Sequence, residues 1–222
     1  MKTIKILIKK IEKVFAFVFL LSLVAGFRTF PNGNSWDISV TDNKLWVKFC
    51  ETRTIGENDL PQGDPLYQQA LTWDIVVDSV FDDIDNVANS FIDIADSTRD
   101  TDYNATIGAQ RTIYVCFASL TAQGGEAKQD LDGSKVIGCD IKLKSKIMDS
   151  TKDFVRTLTH EIGHCLGLDH PQETEHAIMS YYGDKDKPRL QMDDKMGLIY
   201  LYPENPTYSK ESDTYGFSCA PK

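Results

Sequence analysis

Three of the four histidines in this 222-residue chain fall within one short stretch, as His160, His164 and His170. The first two are four residues apart, so on a helix they project from one face about 5.4 Å apart along the axis. Histidine side chains brought together in this way are typical ligands of a zinc ion. Glu161 lies about 100° around the helix from the first histidine, where its carboxylate can hold a water molecule without binding the metal.

Gly167 explains how the third histidine can reach the same ion. Glycine adopts a positive φ at low cost, so the helix can end there and the chain can turn to deliver His170. Three histidines leave one coordination position open for water, which is the mark of a catalytic zinc site. In peptide hydrolysis, Glu161 would take a proton from that water and return it to the leaving amine. The alternative is an exposed pair of histidines without a metal, and Gly167 and His170 both count against it.

These residues complete the pattern His-Glu-x-x-His-x-x-Gly-x-x-His, and the chain resembles the metzincin zinc peptidases. The segment Ala177-Ile178-Met179-Ser180-Tyr181 resembles the methionine turn of that family, which implies that Met179 forms an apolar floor beneath the zinc. The resemblance implies an α+β fold, with a twisted, mostly parallel five-stranded sheet, a backing helix, an active-site helix and a C-terminal helix. It also implies that an extended substrate pairs with an edge strand, which we place within Val136 to Leu143.

Two subfamilies share parts of this pattern. The dipeptide His170-Pro171 and the tripeptide ending in Tyr181 resemble serralysins, in which such a tyrosine can bind zinc and stabilise the oxyanion. This implies a catalytic role for Tyr181, with Tyr182 as the alternative.

Residues 165–170 and 190–202 resemble matrixins. In matrixins, one aspartate of a pair braces the methionine turn and the other can meet the mature N-terminus. The resemblance carries these roles to Asp193 and Asp194 without assigning them individually.

Some features of both subfamilies are missing from the sequence. It contains neither glycine-aspartate repeats after the site nor a Pro-Arg-Cys-Gly switch, and His176 alone is too little for a second zinc ion. If the protein is a zymogen, latency must come from the short N-terminal segment, with Asp37 or the thiol of Cys50 as a zinc blocker. The alternative is an ordinary surface residue and a strand cysteine.

Calcium has weaker support than zinc. Asp130, Asp132 and Gly133 could hint at a calcium loop, but the sequence lacks a full set of oxygen ligands. We expect a surface turn there, within a loop over residues 122–134.

Several elements must position the site. Apolar residues three and four apart predict a long backing helix over residues 66–87. Residues 151–167 form the predicted active-site helix, capped by Ser150 or Thr151, and residues 191–202 form the last helix. Predicted strands cover residues 45–50, 92–94, 112–117 and 136–143.

Residues 1–26 have the pattern of a signal peptide, with lysines in residues 1–13 and an apolar run from Val14 to Gly26. The run is too short to span a bilayer comfortably, which takes roughly 20 residues. An uncleaved anchor is the alternative. Cleavage near Ala25 or Gly26 leaves an irregular N-terminal segment over residues 27–43 and a metallopeptidase domain over residues 44–222.

Loss of residues 1–26 removes five lysines and one glutamate, a net charge of +4, and takes the formal charge from −9 to −13. An acidic chain offers no broad basic face, which argues against nucleic acid and anionic membranes as partners. We expect protein or peptide substrates, a monomer, and no stable membrane association after signal cleavage.

All five cysteines follow the predicted signal peptide, in a compartment where disulfides persist. Connectivity cannot be deduced from spacing. We predict the pairs Cys116–Cys139, in neighbouring strands, and Cys165–Cys219; the alternative is that several are buried thiols.

The sequence therefore predicts a secreted zinc endopeptidase with a single catalytic ion. The metal ligands are His160, His164 and His170, and the catalytic residues are Glu161 and Tyr181. The alternative is a secreted zinc-binding module that holds a partner without catalysis, which has no use for Glu161.

Overall fold

Five of the six strands of the central sheet run parallel to one another in the computed structural model. The structure describes residues 27–205 except 32, 99–110, 122–123, 172–173, 176, 182 and 185. The strands are β2 Ser35–Trp36, β3 Lys44–Phe49, β4 Asp93–Asp96, β5 Thr112–Ala118, β6 Gly125–Asp132 and β7 Lys135–Lys144. Their order is β2-β7-β5-β3-β4, and β6 pairs antiparallel with β7. Two further short strands, β1 Arg28–Thr29 and β8 Leu168–Asp169, form a separate antiparallel pair.

The sheet has six strands rather than the expected five, and the difference lies beside β7. Residues 125–132, predicted as a loop, form strand β6 because a hairpin turn with Gly133 at φ 63° folds them back along β7. The segment 27–43, predicted as irregular, supplies β1 and β2, and Trp36 is 3% exposed beside the start of β7. Strand β7 lies between β5 and β6, so the prediction that an edge strand lies within Val136 to Leu143 is wrong; β6 is the edge.

Three α-helices accompany the sheet: α1 Trp73–Asp85, α2 Thr151–Cys165 and α3 Met192–Leu201. Helix α1 is shorter than the apolar spacing predicts because Thr72 caps its first turn and Gln68, at φ 58°, lies in the turns before it. A short 3₁₀ helix, Ser145–Asp149, precedes α2. Ser150 then caps α2 by accepting a hydrogen bond from the backbone N–H of Asp153 at 3.0 Å.

The core lies between the sheet and helices α1 and α2. The Trp73 ring of α1 meets Phe49 of β3 at 5.0 Å and Phe154 of α2 at 5.4 Å between ring centroids. Leu158 and Ile162 of α2 are fully buried. Helix α2 is therefore held on its apolar face, and the opposite face carries the histidines. Within residues 27–205, as far as they are described, no helix is long and apolar enough to cross a membrane.

The four cysteines that the structure describes form two disulfides, and the predicted Cys116–Cys139 pair is wrong. Phe49 of β3 is in register with Val115 of β5, which places Cys50 beside Cys116, and these two are bonded. Cys139 is in register with Ile113, and its buried side chain is bonded to Cys165 of α2. The predicted Cys165–Cys219 pair is also wrong, because Cys165 is bonded to Cys139. Cys219 lies outside the described residues.

Neither candidate for a latency blocker reaches the histidines. The thiol of Cys50 is consumed in its disulfide. The carboxylate of Asp37 forms an exposed ion pair with Lys135 at 2.6 Å. His176 and the predicted signal peptide lie outside the described residues.

Candidate active site

The three predicted histidines converge on one point. The Nε2 atom of His170 lies 3.1 Å from the Nε2 atoms of both His160 and His164. Among the described residues, this is the one group of three or more His, Cys, Asp or Glu side chains with ligand atoms close enough to hold a metal ion, all within 4.8 Å of one another. The spacing of four residues on α2 and the turn after it produce this convergence.

The hydrogen bonds on the far side of two of the rings fix where their lone pairs point. Nδ1 of His160 donates to the carbonyl oxygen of Ile178, and Nδ1 of His164 donates to that of Leu168, both at 2.9 Å. Since a carbonyl can only accept, each Nε2 atom of a neutral ring carries a lone pair. Both lone pairs face His170, which can donate to only one of them. A cation bridging all three nitrogens fits this donor set.

The electrostatics favour the same protonation state. Burial lowers the pKa of His160 to about 3, with the neighbouring His164 as the next cause. Burial also lowers the pKa of His164, and it lowers that of His170 to about 4. The rings are therefore neutral near pH 7, which is the form that binds a metal.

The end of α2 is fastened by donors from distant parts of the chain. Gly167 has φ 99°, and a Cβ there would overlap the carbonyl oxygen of Asn34. The last four carbonyl oxygens of the helix and its turn each accept a hydrogen bond from a distant residue. That of His164 accepts from Gln129 Nε2 at 2.7 Å and that of Cys165 from Trp36 Nε1 at 2.9 Å. That of Leu166 accepts from Tyr202 Oη at 2.8 Å and that of Gly167 from the backbone N–H of Phe30 at 3.1 Å. Helix ends leave such carbonyls without partners, so these tertiary contacts fix the segment between the second and third histidines.

The methionine turn lies under the helix. Met179 is 1% exposed, and a Cβ on Gly163 would lie 2.5 Å from its sulfur, so the glycine allows this close approach. Asp194 braces the turn: its carboxylate accepts from the backbone N–H of Ile178 at 2.7 Å and of Met179 at 3.2 Å. Of the aspartate pair, Asp194 therefore has the bracing position. Burial raises its pKa to about 6.

Glu161 is buried on the side of α2 that faces the start of β6. Its residue exposure is 5%, and a Cβ on Gly125 would lie 2.7 Å from both Cγ and Oε1 of Glu161. Burial and, as the smaller cause, the nearby charge of Glu126 together raise the pKa of Glu161 to about 7. A carboxylate with such a pKa is suited to accept and return a proton near neutral pH.

Tyr181 lies at the mouth of the site. Its ring stacks on His170 with 4.0 Å between centroids and 27° between planes, while 69% of the residue is exposed. The structure thus brings the three histidines together and stacks Tyr181 on one of them. Glu161 is the residue after His160 on α2, and its carboxylate lies against Gly125. The structure adds Gly125 and Gln129, which sequence reasoning missed because both lie in the segment predicted as a loop.

This fold and this cluster define a metzincin-type peptidase domain. The chain belongs to the matrixin family, whose model matches residues 63–203, well over half of its length. It is 27% identical to human matrilysin over 185 residues, which cover 81% of this chain and 62% of matrilysin.

Two further relatives are metalloproteinases by name. Metalloendoproteinase 1-MMP of Arabidopsis thaliana is 28% identical over 148 residues, 64% of this chain and 38% of that protein. Matrix metalloproteinase-B of Caenorhabditis elegans is 45% identical over 53 residues, 22% of this chain and 10% of that protein. The chain thus spans about three fifths of matrilysin and smaller parts of the other two relatives.

Proposed function

We propose that the protein is a zinc-dependent endopeptidase that hydrolyses peptide bonds of proteins. The observation that carries this proposal is the convergence of three Nε2 atoms, with the lone pairs of two of them fixed by carbonyl partners. His160, His164 and His170 would hold a single zinc ion. When bound, the ion supplies Lewis-acid chemistry and lowers the pKa of a water molecule to about 7.

Glu161 is the proposed general base and acid. Its carboxylate takes a proton from the attacking water and delivers it to the nitrogen of the leaving amine. The pKa of about 7 supports both steps, because the carboxylate can be charged before the attack and protonated after it. A pure binding module would have no use for this buried carboxylate.

Tyr181 is proposed to stabilise the negative charge that develops on the peptide carbonyl oxygen. Its position on the ring of His170 supports this role, and its exposure leaves it free to meet a substrate. Binding of its hydroxyl to zinc, as in serralysins, is the finer form of the same proposal.

The substrate is proposed to pair with the edge of the sheet at β6. This strand has β7 on one side only, and its first residues lie against Glu161. An extended peptide added there would use the free backbone groups of the edge and bring its carbonyl to the site. This replaces the earlier prediction of β7.

Secretion is proposed from the pattern of residues 1–26 and is supported by the two disulfides, which persist in oxidising compartments. The mature protein would then act on extracellular proteins.

Incubation of the protein with casein, with and without a zinc chelator, tests the proposed function. We expect cleavage that the chelator stops and that added zinc restores. The variant Glu161→Ala should bind zinc and lose cleavage by at least about a hundredfold, the usual contribution of a general base. Equal cleavage by this variant and the parent would refute the mechanism. If neither protein cleaves casein, the result would favour the alternative, a zinc-binding module that holds a partner without catalysis.

A further inference from the structure

The Cys139–Cys165 disulfide ends at the residue next to a proposed zinc ligand. Cys165 follows His164 and is the last residue of α2, and its partner Cys139 lies in β7. Consecutive residues of a helix point about 100° apart, so His164 can face the other histidines while Cys165 faces the sheet. The bond therefore joins the metal-binding end of α2 covalently to the central sheet, a link that the proposed mechanism does not use.

The same pair of sheet residues also holds the histidine itself. Gln129 of β6 lies opposite Cys139 of β7 in the strand register, and its Nε2 atom donates to the carbonyl oxygen of His164 at 2.7 Å. Its Oε1 atom accepts from Nδ2 of Asn34 at 2.9 Å, which fixes the direction of the amide. One rung of the β6–β7 ladder thus holds His164 by a hydrogen bond and Cys165 by a covalent bond. Movement of Cys165 against β7 therefore also displaces His164.

The packing around the disulfide leaves little room for two free thiols. Cys139 is 1% exposed and Cys165 is 0% exposed. Non-bonded heavy atoms keep roughly 3.5–4.0 Å apart, so the two sulfurs must separate when they are not bonded. A close-packed interior answers such a change by shifting side chains and backbone. Ligand distances at metal sites lie within about 0.2 Å of their ideal values, so a shift passed on to His164 weakens zinc binding.

We propose that the Cys139–Cys165 bond is a redox switch of the zinc site: the folded chain with both thiols reduced binds zinc weakly and is latent, and formation of the bond completes the site. This inference rests on the proposed function and names its regulation. On oxidation, the two thiols lose two electrons and two protons to a disulfide-containing oxidant, which is reduced to thiols, and the sulfur–sulfur bond forms. Oxidising compartments outside the cytosol supply such oxidants. Because both sulfurs are buried, thiols reach the finished bond only when the structure opens, so the switch is set once, on export.

Zinc binding to the metal-free protein tests this regulation without any need for cleavage. The dissociation constant for zinc is measured by competition with a coloured chelator. The double variant Cys139→Ala, Cys165→Ala lacks the covalent link, and we expect its dissociation constant to be at least about tenfold above that of the parent, because changes to the groups that hold metal ligands typically cost about 10–100-fold in affinity. The matched control is Cys50→Ser, Cys116→Ser. It loses the other disulfide, whose partners adjoin no histidine along the chain, and should bind zinc as the parent does.

The redox step itself is tested with the control variant, in which Cys139–Cys165 is the one disulfide left among the described residues. The metal-free protein is refolded from urea either with tris(2-carboxyethyl)phosphine or with oxidised glutathione. We expect the reduced form to be folded, as seen by circular dichroism, and to bind zinc at least about tenfold more weakly than the oxidised form. Equal zinc affinity in the two redox states would overturn the inference. Loss of the fold on reduction would also overturn it, because a switch requires a folded reduced form.

Casein cleavage measured on the same samples separates this inference from the proposed function. Zinc affinity that depends on the redox state, without cleavage in either state, supports the switch at the metal site and overturns only the proposed function. Normal cleavage with equal zinc affinity in both states overturns only the switch. A change of the dissociation constant in the control as large as that in Cys139→Ala, Cys165→Ala would show a general loss of stability and would overturn the switch as well.

Discussion

Two glycines determine where side chains of the site can lie. Gly163 leaves room for the sulfur of Met179, and Gly125 leaves room for the carboxylate of Glu161. Glycine inside a helix costs about 1 kcal/mol relative to alanine, so Gly163 is retained at the expense of helix stability. The sequence predicts Glu161 and the histidines because they carry chemistry at a fixed spacing. It does not predict Gly125, whose role depends on how β6 lies against α2.

Gly125→Ala should displace the carboxylate of Glu161. The added methyl group would lie 2.7 Å from Cγ and Oε1 of Glu161, and one of the two must move. We expect kcat for casein peptides to fall by about a hundredfold, since misplacement of a catalytic group by about 1 Å has such an effect. Zinc content should stay at the parent level. Gly138→Ala is the control, because its nearest neighbour would be at 3.4 Å, and it should retain activity. Unchanged kcat in Gly125→Ala would contradict the placement of Glu161.

At the scale of elements, the end of α2 is the feature that the sequence predicts only in part. The pattern predicts that the helix ends near Gly167, and its φ of 99° confirms how the turn is made. The donors to the last four carbonyls come from β2, from β6, from the residue after α3 and from Phe30, which follows β1. Strand β6 was not predicted because Gly125–Asp132 has no alternation of apolar residues; pairing with β7 defines it.

Tyr202→Phe tests the contribution of one of these donors. The hydroxyl donates to the carbonyl of Leu166 and accepts from the backbone N–H of Trp36 at 3.2 Å, and Tyr202 is 1% exposed. Its removal leaves two buried polar groups without this partner, so we expect the free energy of unfolding to fall by about 1–3 kcal/mol. Urea denaturation of the metal-free protein measures this. The exposed Tyr67 serves as control through Tyr67→Phe, and equal losses in both variants would contradict the assignment.

Asp85, at the end of α1, gives the fold a dependence on pH. Its carboxylate accepts from the backbone N–H of Ile94 at 2.8 Å, and burial raises its pKa from 3.8 to about 7. Because the folded-state pKa is the higher one, this contribution to stability is complete below about pH 4 and is lost as the pH rises through 7. Asp85→Asn keeps the acceptor and does not titrate. We expect thermal denaturation to show the variant more stable than the parent at pH 8 and similar to it at pH 4; a constant difference would refute this.

At the scale of the whole molecule, long-range contacts join segments that no local pattern connects. The Cys50–Cys116 bond follows from strand register, and the Cys139–Cys165 bond joins β7 to the end of α2; neighbouring positions in the sequence reveal neither. The layout of a parallel sheet with one backing helix and one active-site helix was predictable from apolar spacing, caps and the family pattern. The number of strands and the identity of the edge were not, because both depend on short strands that gain stability only by pairing.

Arg189 and Asp64 form the most buried ion pair among the described residues, with side-chain exposures of 13% and 1%. Arg189 also donates to the carbonyl of Ser79 at 2.8 Å, so it ties the segment before α3 to α1 and the loop before it. Arg189→Met should lower the free energy of unfolding by about 3 kcal/mol, because it leaves the carboxylate of Asp64 buried without a counter-ion.

Urea denaturation of Arg189→Met measures this loss. Lys135→Met is the matched control, since it removes the exposed pair with Asp37 and should leave stability nearly unchanged. A loss no larger in Arg189→Met than in Lys135→Met would show that the buried pair does not hold the segment.

Titration of zinc into metal-free protein, with casein cleavage as the readout, tests the central claim most directly. We predict that activity rises in proportion to added zinc and stops rising at one ion per chain, and that His170→Ala gains almost no activity over the same range because it loses one of three ligands. Full cleavage by the metal-free protein, or an unchanged titration curve in His170→Ala, would contradict a catalytic zinc ion held by His160, His164 and His170.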